Sequence, residues 1–470
     1  MYIRDIILNK RSGRKLILDE IEFVIQGYFR EEISNAQMAA LMTAIRINGM
    51  SEQEVSYFVN AMAETGDELE FYRISNKITD IHSLGGISDK IILILISVID
   101  SLGFPAAKVL GRELGLEDRL NSIPGYKIED NIENFKESIY QNNIGILKNM
   151  DNLAPIENKL YRLRHEIACD NDMGLIATSI MSQKIALGFY NIFFEITYGP
   201  NAYVKTLSDA KILARYLTSI GKQQNRKVGC AVTPLNEPVG KTFGNLLELR
   251  EIYKFLNGEN DKEIEEVVLN FGCNICYISG LCTDYVKAKR MIKQSIQNKN
   301  ALKSFEKLIT INGGEFEVLK NDVVPKNEIP ILSTEEGYIS EIDVNQLRQI
   351  AQYLDAIRIS KLDRLDYGAG IVFNKKVGDQ VSKGQIIAYL YTNNDTKIKE
   401  ASQMAKNMIK IQPKKPKSLN RVEFNLNWQV TTNLRVQKIA PYYWLSRWKV
   451  VKLKTVFKYI YINSNLILLR

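Results

Sequence analysis

The chain has 470 residues, 45% hydrophobic and 25% charged, which is enough to bury two to four domain cores at about 100–200 residues each. Its longest apolar run, Ile91 to Ile99, is far short of the ~20 residues of a membrane-spanning helix, and its start lacks the basic and apolar regions of a signal peptide, so a soluble cytoplasmic protein with no membrane partner is expected. The net charge of +8 does not mark a nucleic-acid binder, because residues 411–470 hold 12 Lys/Arg against one acid and the preceding 410 residues carry 50 bases and 53 acids.

Three helices are predicted first, from Asp19 through Tyr28, from about Ser34 to Ile47 and from Met50 to Glu64. Ser51-Glu-Gln-Glu54 reads as a capping box, in which each end satisfies the other's free backbone donor, and Gly66 supplies a stop. Met38, Leu41, Met42 and Ile45 mark a buried helical face. From Ile78 the pattern changes to short apolar strands, Gly-bearing loops and helices, as in Ile81 to Asp89 leading into a helix over Lys90 to Leu102, which reads as α/β. Helical character returns around Tyr161 to Leu187 before strand-like Asn191 to Thr197, so the small helical domain is expected to be assembled from two separated segments. Cys273 and Cys276 have metal-pair spacing but lie in an apolar-periodic stretch with no second pair or nearby histidine; core packing is the expectation, zinc or redox chemistry the alternative. Five cysteines in all are too few for a disulfide framework in a chain of this size. After Pro330 the pattern turns to short strands with tight turns at Gly378-Asp379 and Lys383-Gly384. The last sixty residues carry all three tryptophans and most of the excess base, and can be read as an added packing element, an unrelated tail, or a nucleic-acid or membrane-surface module in which lysines interleave with aromatics.

Five segments in order carry a resemblance over residues 1 to about 405: Asp5 to Gly13, His82-Ser-Leu-Gly-Gly86, Ala177 to Lys184, Gly244-Asn-Leu-Leu-Glu248 and the Lys376 to Gly384 turn. Together they resemble the pyrimidine-nucleoside and thymidine phosphorylase family. The resemblance implies an α/β plus all-α chain: a small helical domain (1–66, completed by about 160–188) used for homodimerisation, a large α/β domain with a mixed sheet (70–158 and 189–325), and a C-terminal α+β hammerhead-like domain (332–405). The basic aromatic tail (411–470) would follow. Anthranilate phosphoribosyltransferases share the first two domains, but the turn-rich C-terminal region and the His82 to Gly86 loop favour the phosphorylases.

The family reaction transfers a pentose from a pyrimidine nucleoside to phosphate, so donors and positive charge are needed at both the phosphate and the departing base. At the base end the resemblance assigns Arg164 and Ser179 to pyrimidine binding and His82 to the base carbonyl or leaving group, making His82 and Arg164 the catalytic candidates. Gln183 stands where the family has lysine. It donates hydrogen bonds but carries no charge; both it and Lys184 beside it are substrate-binding candidates, although Lys184 lies about 100° round the helix. At the phosphate end Ser83, Gly85, Gly86, Lys108 and Arg112 match the family. Ile81 and Leu110 stand where it has lysine and serine, and Thr197 replaces another lysine. A four-residue deletion near Glu113 to Glu117 removes a phosphate-binding threonine.

No organic cofactor is implied, only phosphate as co-substrate. The family's monovalent cation would sit among Ser88, Lys90, Val239, Thr242 and Glu251. Only Glu251 keeps the family type, and the Lys90 ammonium could take the cation's place. Two functional readings remain: an impaired pyrimidine-nucleoside phosphorylase, and a phosphorolysis-dead paralogue that binds a nucleoside, base or protein. Nucleic acid is not the expected partner.

Overall fold

A computed structural model describes residues 1–66, 71, 77–84, 89–111, 115–148, 153–321, 325–358, 360, 362–417 and 420–427. The helical part opens with α1 (Ile3–Arg11), α2 (Leu18–Phe29), α3 (Asn35–Asn48) and α4 (Glu52–Ala63). The capping box at Ser51 forms: its hydroxyl accepts from the Glu54 amide at 3.2 Å and its own amide donates to Glu54 Oε2 at 2.8 Å. A second box forms at Ser34 with Gln37. Such caps satisfy amide groups that the helix itself leaves without partners.

The α/β part begins with β1 (Thr79–Leu84), α5 (Asp89–Ser101), β2 (Ala106–Val109), α6 (Gly115–Asn121), α7 (Ile132–Asn142) and β3 (Ile144–Leu147). Next come α8 (Pro155–Glu166) and α9 (Met173–Ala186), which pack on α2, α3 and α4 and complete the helical part from the far side of β3. The chain then re-enters the sheet through β4 (Asn191–Tyr198), α10 (Leu207–Gln223) and β5 (Lys227–Pro234). After β6 (Thr242–Phe243) come α11 (Asn245–Leu256), α12 (Lys262–Ser279), α13 (Tyr285–Gln297) and α14 (Asn300–Ile311). Cys273 and Cys276 lie on α12 within an apolar core, and burial pushes the Cys273 thiol up to about 12, as core packing requires.

The C-terminal part contains β7 (Asn327–Leu332), β8 (Gly337–Ile342), α15 (Val344–Tyr353), β9 (Gly370–Phe373), β10 (Gln380–Val381), β11 (Ile386–Thr392), α16 (Ile398–Met408) and β12 (Ile409–Gln412). Two small sheets, ordered β10-β8-β12 and β6-β9-β11-β7, enclose its core with α15 and α16. β13 (Phe424–Asn427) follows. It pairs antiparallel with β5 and so joins the main sheet, whose order is β13-β5-β4-β1-β2-β3 with the other five strands parallel. The segment expected to be a compositionally separate tail from residue 411 therefore begins inside β12 and supplies a strand to the central sheet. Its remaining residues from 428 on, with all three tryptophans, lie outside the described residues.

β6 belongs to the middle of the chain but pairs with β9 of the C-terminal part, Thr242 opposite Val372. The backbones come so close there that a Cβ at Gly244 would sit 2.5 Å from the Ala369 carbonyl oxygen, which explains the glycine that opens the Gly244 to Glu248 segment. Among the described residues no helix is long and apolar enough to cross a membrane.

Candidate active site

Connections leave β1 towards β2 on one side, and β4 lies on its other side, so the carboxyl end of β1 is a topological switch point of the kind where α/β sheets bind ligands. A cleft of about 170 Å³ opens there, walled on one side by β1, β2 and the starts of α5 and α6 and on the other by α8 and α9. It brings together His82, Ser83 and Lys108 with Arg164, Ser179 and Gln183. Gly85, Gly86 and Arg112 lie outside the described residues.

On the sheet side, Lys108 Nζ is 3.2 Å from His82 Nδ1, and Phe194 meets the imidazole edge-on at 5.7 Å. The protein packed around the ring, followed by the ammonium groups of Lys108 and Lys184, holds His82 well below the ordinary histidine range. The neutral ring accepts from Lys108 at Nδ1, which leaves the proton on Nε2. Ser83 Oγ donates to Glu195 Oε2 at 2.8 Å, and Thr233 donates to Glu195 Oε1 at 3.1 Å. Glu195 is 3% exposed, and burial raises its pKa to about 7 against these two hydrogen bonds, with Asp89 adding to the rise. Ile81 is in the core beneath the cleft and Leu110 lines it, so both positions are apolar where the family resemblance led one to look for polar groups. Thr197 is buried and its hydroxyl donates to the Leu84 carbonyl, tying β4 to the end of β1.

The helical side is built by spacing. Glu157, Tyr161 and Arg164 fall on one face of α8, and Ser179 and Gln183 are one turn apart on α9. Arg164 Nη1 donates to the Leu175 carbonyl at 2.7 Å, its guanidinium lies 5.4 Å from the centre of the Tyr161 ring, and its Nε is buried without a hydrogen-bond partner. Ser179 Oγ donates to Glu157 Oε1, and Gln183 Nε2 donates to Glu157 Oε2 at 2.9 Å. Lys184 does not line the cleft: its ammonium meets Asp80 Oδ2 at 2.9 Å with both side chains buried, beneath His82. The α-helical rotation that separates positions 183 and 184 accounts for this.

Sequence reasoning gave no role to Glu157, Tyr161, Asp89, Leu116, Tyr203 or Glu195, yet the first five line the cleft and Glu195 lies directly behind Ser83. For Glu157 and Tyr161 a signal existed, the seven- and three-residue spacings to Arg164 on a continuous helix. Tyr203, held by its hydroxyl on the Asp170 carbonyl at 3.0 Å, comes from a loop and had none.

Lys90 and Glu251 sit together away from the cleft. Lys90 is 0% exposed, with its Nζ 2.6 Å from Glu251 Oε2, 2.7 Å from the Thr242 carbonyl oxygen, 3.3 Å from Thr242 Oγ1 and 3.9 Å from Glu248 Oε2. Burial acts to raise the Glu251 pKa, but the Lys90 ammonium, the Thr242 hydroxyl and the Lys241 amide outweigh it and hold the carboxyl below its ordinary value. Val239 is buried nearby in the apolar core, and Ser88 lies outside the described residues.

Sequence profiles place this architecture. One described as "Glycosyl transferase family, helical bundle domain" matches residues 4–66, one described as "Glycosyl transferase family, a/b domain" matches 75–302, and one described as "Pyrimidine nucleoside phosphorylase C-terminal domain" matches 338–412. A pyrimidine-nucleoside phosphorylase of Geobacillus stearothermophilus is 35% identical over 402 residues, covering 84% of this chain and 93% of that protein. A protein of the same name from Staphylococcus epidermidis is 34% identical over 400 residues, covering 84% and 92%. The crystal structure of anthranilate phosphoribosyltransferase from Thermus thermophilus superposes with a TM-score of 0.51 at 14% identity, covering 67% of this chain and 99% of that one, a likeness of fold alone. Three domain profiles in order, and relatives a third identical along most of both chains, establish that this chain belongs to the pyrimidine-nucleoside phosphorylase family.

Proposed function

We propose that the chain is a pyrimidine-nucleoside phosphorylase-type pentosyltransferase, taking a pyrimidine nucleoside and phosphate to a free base and a pentose 1-phosphate, with a weakened phosphate end. The observation that carries this reading is one cleft with Lys108, Ser83 and His82 on one wall and Arg164, Ser179 and Gln183 on the other. Phosphate would lie against Lys108 and Ser83, with Gly85, Gly86 and Arg112 completing that end by resemblance. Attack at C1′ puts negative charge on the departing base, and the Arg164 guanidinium and the His82 Nε2–H supply the donors that stabilise it. Ile81 and Leu110 add nothing to the phosphate end, and loss of one preorganised donor commonly costs about 10²- to 10³-fold in rate.

Those apolar positions also support the second reading, a phosphorolysis-dead paralogue that still binds a nucleoside, base or protein. Release of free base from uridine and thymidine in the presence of phosphate separates the two. The expected result is slow, phosphate-dependent release that falls at least about a hundredfold in Arg164→Ala. No release from folded protein would leave the binding reading.

Two further features belong to this proposal. Lys90, in its cage of Glu251 and Thr242 oxygens, stands in the place of a monovalent cation, and no organic cofactor takes part. The chain works as a cytoplasmic homodimer through its helical part, where Tyr2, Ile17, Phe29 and Ile47 leave apolar surface exposed. Light scattering should give twice the chain mass of 53.7 kDa, and a monomer at micromolar concentration would remove the dimer from the proposal.

A further inference from the structure

The sheet wall of the cleft holds a hydroxyl that meets the ligand space as an acceptor. Ser83 lines the cleft, and its hydrogen goes to Glu195 Oε2 at 2.8 Å. A hydroxyl has a single hydrogen to give, so with Glu195 ionised Ser83 Oγ presents only lone pairs to the cleft. Glu195 is 3% exposed and stands behind the lining, and its other oxygen accepts from Thr233 at 3.1 Å. The charged group bearing on it is Asp89, at the start of α5, which itself lines the cleft. Among the described residues of that lining, Lys108 and Arg164 carry positive charge and Asp89 and Glu157 negative charge, so the formal sum is zero. Such a lining gives little net attraction for a phosphate dianion. A neutral molecule with hydrogens to donate suits an acceptor hydroxyl better.

Resting on the reading of this cleft as a pentosyl-transfer site, we infer that it has a second activity, hydrolysis of pyrimidine nucleosides, in which water is the acceptor and passes its proton through Ser83 to Glu195. The water oxygen forms the new bond to C1′ while one of its hydrogens moves to Ser83 Oγ and the Ser83 hydrogen moves to Glu195 Oε2. The C1′–N1 bond breaks with its electron pair on the pyrimidine, whose negative charge Arg164 stabilises before solvent protonates it. Glu195 then returns its proton to solvent by the same relay. One nucleoside and one water give one pentose and one base, with nothing oxidised or reduced. Burial raises Glu195 to a pKa of about 7, which puts a base of useful strength behind the hydroxyl at neutral pH.

The test is release of uracil from uridine and of thymine from thymidine by the full chain, in buffer freed of phosphate and again with phosphate added. Release without phosphate is expected, with free pentose as the co-product. Its rate should rise about tenfold from pH 6 to pH 8, as a group titrating at about 7 loses its proton. In Glu195→Gln, with circular dichroism checking the fold, phosphate-free release should fall at least about a hundredfold. What remains should lose the pH dependence, a change that a merely structural role does not produce. Release only when phosphate is present overturns the inference and leaves the phosphorylase reading standing. Phosphate-free release that persists undiminished in folded Glu195→Gln overturns the relay and the proposal with it. No release under either condition removes the inference and the pentosyl-transfer reading together. If Glu195→Gln does not fold, the unmodified chain decides: a phosphate-free rate that stays flat from pH 6 to pH 8 refutes the proposal.

Discussion

Lys90→Ala should lower the stability of the protein by about 3–5 kcal/mol, the range for removing one partner from a buried ion pair, and should make the variant responsive to potassium. The expectation follows from where the charge sits. Lys90 is fully buried on α5, bonded to Glu251 at 2.6 Å and to the Thr242 carbonyl oxygen at 2.7 Å, with Glu248 at 3.9 Å. Truncation leaves the Glu251 carboxylate without its cation, next to a carbonyl and a hydroxyl oxygen in a space the size of an ammonium group. Oxygens so arranged favour a hard cation. Denaturant unfolding of wild type and variant in potassium chloride and in tetramethylammonium chloride of equal ionic strength separates a site from general screening. Potassium should restore part of the lost stability in Lys90→Ala and leave the wild type unmoved. A potassium effect of equal size in both proteins, or no loss on substitution, would count against Lys90 as a tethered cation.

Glu195→Gln should stabilise the protein by about 3 kcal/mol above pH 7 and by little near pH 4.5. The carboxyl is raised from its ordinary 4.5 to about 7 by burial, which corresponds to about 3 kcal/mol against the ionised form in the folded state. Below pH 4.5 the group is protonated in both folded and unfolded chains and contributes no penalty. As pH rises from 4.5 to 7 the unfolded chain gives up this proton while the folded one keeps it, so stability falls through that window and levels off above it. Glutamine has no such titration and still offers Ser83 or Thr233 an oxygen. Urea midpoints at pH 5 and pH 8 therefore should lie closer together in the variant than in the wild type. Parallel pH curves would show that Glu195 does not titrate in this range. The same proton bears on Ser83, whose hydroxyl hydrogen is engaged while Glu195 is ionised and becomes available to an anion once it is protonated.

Local chemistry explains what was legible in the sequence. The second, third and fourth helices were legible from local signals such as the apolar face at Met38, Leu41, Met42 and Ile45 and the capping box at Ser51, each complete within a few residues. α1 has no such signal: its N-cap, Tyr2, makes no side-chain hydrogen bond, and the helix is held by Lys10 reaching Glu54 at 2.6 Å, 44 residues away. The cleft divides in the same manner. His82, Ser83, Lys108, Arg164, Ser179 and Gln183 could be placed by resemblance, and the structure brings all six to one cavity. The partners that set their polarity could not, because Lys184 with Asp80, and Ser83 with Glu195, join positions about a hundred residues apart. β13 was hidden for another reason. Its residues sit in a stretch whose basic composition suggests a tail, and only the unpaired edge of β5 gives them a strand's environment.

Thr242 belongs to two structures at once. Its carbonyl and hydroxyl oxygens serve Lys90 on α5, while its backbone pairs with Val372 of the C-terminal part. β13, arriving after the C-terminal part is complete, fastens the chain to β5 a second time. The C-terminal part is thus tied to the rest of the chain at several points, among them the cage beside the first turn of α5, the β13–β5 pairing and the Arg358–Asp118 ion pair at 2.7 Å. Moving it as an independent lever would break an ion-paired lysine out of a buried cage.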